Sequence, residues 1–67
     1  MSDPAAVVKL YREMDDKWLA DMKLAFTEDR EANRARENPA GVKFCDGRLR
    51  LIAREQARRK AAAGKKR

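Results

Sequence analysis

Val42-Lys43-Phe44-Cys45-Asp46-Gly47-Arg48-Leu49-Arg50-Leu51 admits two folds. In one, Asp46-Gly47 is the two-residue turn of a β-hairpin. Its register pairs Phe44 with Leu49 and Val42 with Leu51 on one face, with Lys43 and Arg50 on the other. In the second, Asp46 is a helix N-cap and a helix runs from Gly47 to about Ala63. Leu49, Ile52, Ala53 and Ala57 then share a face that leaves Leu51 outside. A lone two-stranded hairpin is marginal in water, and the residues after Ile52 are helix formers. The helix reading is preferred. Arg58, Arg59 and Lys60 then lie near its C-terminal end, where the helix dipole favours cations. Gly64 closes it, and Lys65-Lys66-Arg67 follows as a basic, disordered tail.

Upstream, Asn38-Pro39-Ala40-Gly41 reads as a stop, because the residue before proline is pushed out of the helical region and Gly41 supplies a turn. Before it stands a helix with a physical start. Asp3 can accept from an orphan N–H of the first turn, and Pro4 suits the first helical position. Val7, Leu10, Tyr11, Met14, Trp18, Met22, Ala25 and Phe26 recur in steps of three and four, the helical period. Leu19 and Leu24 widen that stripe, and Glu13 and Lys17 offer an i,i+4 pair. Residues 4–26 are therefore expected to be one helix.

Residues 27–38 hold no large apolar side chain. They can extend the helix as a solvated arm, or Thr27 can cap a new one. Unbroken from 4 to 37, such a helix would be roughly 50 Å long. A bend near Thr27 or a projecting, self-associating arm is expected. The fold class is thus all-α: a hairpin of one long N-terminal helix and a shorter basic C-terminal helix, with a short β-hairpin at 42–51 as the rival detail. One small domain spans 1–63, with 64–67 as tail.

The charge is unevenly distributed. Residues 1–40 carry seven Lys/Arg against nine Asp/Glu, whereas residues 41–67 carry ten Lys/Arg against Asp46 and Glu55 alone, a net of +8. Such a segment suits a phosphate backbone, anionic lipid or an acidic protein face. It also serves, more plainly, as a solvated helix surface.

Other chemistries lack their residues. With no His and one Cys, there is no disulfide framework, zinc finger or imidazole-based triad. Asp15 and Asp16 point about 100° apart on a helix and are poorly placed to chelate one ion. Cys45 reads as a small buried hydrophobe, because a nucleophile needs a base. The glycines are isolated, with no phosphate loop. No catalytic, cofactor or metal site is expected, and no apolar run reaches the roughly 18 residues of a membrane span. The chain reads as a cytoplasmic, non-enzymatic protein. Its length and Ala/Arg richness suit a bacterial or phage accessory protein.

Two functions follow. In the first, Arg48, Arg50, Arg54, Arg58, Arg59 and Lys60, with Lys65, Lys66 and Arg67, contact the phosphates of DNA or RNA and read sequence only weakly. In the second, the N-terminal amphipathic helix binds a protein partner or a second copy through Tyr11, Met14, Trp18, Met22 and Phe26, while the basic half docks an acidic protein surface. A homo-oligomer is expected. Membrane binding is a distant third, because the basic stretch lacks a large apolar face.

Overall fold

A computed structural model describes residues 4–64 and is all-helical there, with α1 (Pro4–Glu13), α2 (Asp16–Ala35) and α3 (Pro39–Gly64) in chain order. Residues 42–51 lie inside α3, so the β-hairpin reading is set aside. The plan of two helices gives way to three. Asp3 and the tail residues Lys65, Lys66 and Arg67 lie outside the described residues.

The long N-terminal helix breaks at Met14-Asp15, not at Thr27. Asp15 adopts an extended backbone (φ −78°, ψ 171°), and its carboxylate accepts from the Trp18 N–H at 2.8 Å. That is an N-cap, with Asp16 in the first turn facing the positive end of the dipole. Thr27 continues the helix instead of capping one: its hydroxyl donates to the Lys23 carbonyl at 2.7 Å. Because the break separates Glu13 from Lys17, Lys17 pairs with Asp21 at 3.2 Å.

The stop at 38–41 is equally a start. After Ala35, the Glu37 N–H donates to the Arg34 carbonyl and the Asn38 N–H to the Asn33 carbonyl at 2.9 Å. This pair of bonds is a Schellman closure, with Glu37 in the left-handed region at φ 58°. Asn38 then caps α3, its side-chain oxygen accepting from the Gly41 N–H at 3.3 Å. Pro39 follows at the first helical position. The bias that proline puts on its predecessor is the one an N-cap requires. Asp46 is therefore helical, not a cap, and it accepts from Arg30 at 3.0 Å.

That bond near the α2–α3 turn, and the Asp16–Arg59 bond at the far end, set the two helices antiparallel. Tyr11, Leu19 and Ile52 form the core, one from each helix, with Val7, Trp18, Met22, Phe26 and Leu51 packed around them. Leu51 joins this layer, contrary to expectation, because α1 lies over its side of α3. Ala53 and Ala57 are exposed. Tyr11 and Trp18 meet across the helix break, with ring centroids 5.8 Å apart. Cys45 is buried. None of the helices, among the described residues, is long and apolar enough to cross a membrane.

Candidate nucleic-acid interface

α3 carries Lys43, Arg48, Arg50, Arg54, Arg58, Arg59 and Lys60 against Asp46 and Glu55. With 3.6 residues per turn, Lys43, Arg50 and Arg54 fall within about 40° of one another, opposite Ile52. They form an exposed ridge running roughly 16 Å along the axis. Lys60 is exposed to one side of it and Arg58 to the other. Both acids of α3 are consumed elsewhere, Asp46 by Arg30 and Glu55 by Arg58 and Arg59. Lys43, Arg50 and Arg54 thus form a row of cations that make no ion pair among the described residues.

Glu55 decides how the cations at the C-terminal end are used. Although charged, it is 5% exposed. Arg58 donates to both its oxygens, at 2.9 and 2.7 Å, and Arg59 donates to Oε2 at 2.7 Å. The Arg58 bonds, and with them Arg59, outweigh burial and hold the carboxyl down at about 2, against an ordinary 4.5. Arg59 also reaches Asp16 at 2.6 Å and the carbonyls of Tyr11, Arg12 and Met14. Those carbonyls belong to the end of α1, where a helix leaves its acceptors unfilled. Arg59 thus staples α1 and the start of α2 to α3. Arg58, at 51% side-chain exposure, can still face a ligand, whereas Arg59 is largely enclosed.

Arg48 lies over the Phe44 ring, 4.9 Å from its centroid. Phe44 is half-exposed and meets Phe26 edge-on at 6.3 Å. With Val7 and Leu51 it floors a cavity of about 430 Å³ rimmed by Lys43, Arg48 and Arg50. A cavity of about 540 Å³ at the α2–α3 turn sets Arg34 and Lys43 against Glu37 and Asp46, so its charges cancel.

The residues expected at an interface sit differently. Tyr11 is in the intramolecular core, and Trp18, Met22 and Phe26 pack around it. Met14 is half-buried at the α1–α2 break. Much of that stripe is thus used within the chain. Lys43 is the ridge residue that the reading of the sequence left out. Its spacing of seven and four from Arg50 and Arg54 is the signal that places it there.

No family model, curated protein or solved structure matches this chain.

Proposed function

We propose that this is a small nucleic-acid-binding protein that contacts phosphates through the outward face of α3. The reading rests on the ridge of Lys43, Arg50 and Arg54, flanked by Arg58 and Lys60, on a helix whose own two acids, Asp46 and Glu55, are already paired. The helix sets the spacing of these cations before they meet a phosphate chain, and each phosphate neutralised releases counterions. Arg59 leaves the set of ligand-facing residues and Lys43 enters it. Without a base-reading constellation on this face, contacts of this kind position a nucleic acid without selecting its sequence.

Fluorescence anisotropy with labelled duplex DNA and structured RNA, from ~50 to ~200 mM salt, tests the reading. Four neutralised phosphates give a slope of log K on log salt near −3.6 on duplex DNA. The triple variant Arg50→Ala, Arg54→Ala, Lys60→Ala flattens it. An unchanged slope removes these residues from the interface.

A second reading follows from Phe44. An exposed aromatic in a basic-rimmed cavity, with Leu10 and Leu24 also exposed, suits an acidic amphipathic protein segment. Absence of DNA and RNA binding at low salt, together with a stable homo-oligomer in sedimentation, would favour it.

A further inference from the structure

α1 belongs to the half of the chain with the acidic balance, yet its Lys9 and Arg12 line a cavity shared with Leu51 and Arg54 of α3. Two cavities open along the α1–α3 seam. One, of about 300 Å³, is lined by Val8, Tyr11, Arg12, Leu51, Arg54 and Arg58, with Glu55 at its base. The other, of about 610 Å³, is lined by Ala5, Val8, Lys9, Arg12, Leu51 and Arg54. Val8, Arg12, Leu51 and Arg54 line both, so the two form one cleft with an apolar floor and cations on each wall. Among the described residues its only acid is Glu55, already bonded by Arg58 and Arg59.

We infer that this cleft seats a phosphodiester of the bound nucleic acid, with Lys9 and Arg12 of α1 on one side of it and Arg54 and Arg58 of α3 on the other. The inference rests on the proposed phosphate-binding reading and extends it to a second helix. Its physical ground is like-charge repulsion. Lys9, Arg12 and Arg54 are exposed and have no ion pair among the described residues. α1 cannot swing away to separate them from the α3 cations. Arg59 holds its C-terminal carbonyls, and Tyr11 anchors it in the core with Leu19 and Ile52. The helices that carry these cations are therefore held around a common space, and an anion placed there meets positive charge from both. Arginine suits the role, since its planar fork can bind two phosphate oxygens at once. The Val8–Leu51 floor accommodates the less polar sugar that a phosphodiester brings and a free phosphate does not.

The test compares two charge-matched pairs by anisotropy on labelled duplex DNA across the salt series. One pair is Lys9→Ala with Arg12→Ala. The other is Lys23→Ala with Arg36→Ala, which removes the same charge from α2 and its cap, away from the cleft. Removing one phosphate contact makes the slope shallower by about 0.9, an eightfold loss of affinity at 0.1 M salt relative to 1 M. The cleft pair is expected to show that change, and the α2 pair none. Lys9→Gln with Arg12→Gln, whose longer side chains keep covering the seam, must reproduce it with unchanged Trp18 fluorescence. Equal losses for both pairs would reduce the effect to net charge and overturn the inference. An unchanged slope for the cleft pair, with the α3 triple variant still flattened, would overturn it and leave the α3 reading standing. No binding by the unmodified protein would remove both. Competition by inorganic phosphate at concentrations far below those of added salt would show that the cleft takes the free ion, contradicting the phosphodiester assignment.

Discussion

Glu55 and Arg59 sit at the centre of a cluster of charged hydrogen bonds that joins all three helices. Burying a carboxylate is tolerable only when it is paired and hydrogen-bonded, as Glu55 is by two guanidinia. Its carboxyl lies at about 2 when folded and at an ordinary 4.5 when unfolded, so the unfolded chain binds its proton more readily. Its contribution to stability is therefore complete above about 4.5 and is lost as the pH falls through about 2. Glu55→Gln keeps the shape but not the charge and should cost about 1–3 kcal/mol near neutrality. Thermal melts of both proteins, from about pH 7 down to about pH 2.5, should bring the two melting temperatures together as acid is added. A constant gap would deny Glu55 this role. Arg59→Lys tests the staple itself. One ammonium cannot span Glu55, Asp16 and three carbonyls, so a lower melting temperature is expected by circular dichroism, despite the conserved charge.

Helix ends show how local signals compete. Glu37 closes α2 in a left-handed conformation that costs a residue with a side chain roughly 1–2 kcal/mol and costs glycine little. Glu37→Gly should therefore raise stability by about 1 kcal/mol, measured by chemical denaturation. Gly47 lies exposed inside α3, where an added Cβ meets nothing within 4 Å. Gly47→Ala should add about 0.5–1 kcal/mol from the unfolded state's lost freedom. Gly41 differs: a Cβ there would collide with the Asn33 side chain, whose amide donates to Asp29 and accepts from Asn38. The helical period of residues 7–26 was legible because it repeats over several turns. The breaks were not, since Asp15 and Thr27 are both competent caps and nothing local chooses between them. The choice is made by α1 folding back, where Arg59 reaches it from 43 residues beyond Asp16. Asn38-Pro39 misled in another way: it ends one helix and starts the next within two residues.

Taken together, the three helices make a long, thin body of 48 × 23 × 15 Å on a small core. Such a core gives a chain of this size only a modest margin, so the Glu55–Arg59 staple contributes a large share of what holds α1 in place. The charge asymmetry of the sequence survives folding, but its meaning sharpens. Composition marked the second half as basic and could not tell which cations remain available. Arg30 and Arg59 are occupied by partners 16 and 43 residues distant, pairings no sequence window contains. What emerges is a face: the α3 ridge, bordered by the cleft that α1 closes. The most direct test is a two-dimensional amide NMR titration with a short duplex. Shift changes should concentrate at Lys43, Arg50, Arg54, Arg58 and Lys60, and at Lys9 and Arg12, with the outer face of α2 around Asp21 and Glu28 unmoved. Shifts centred on α2, or none at low salt, would contradict this assignment.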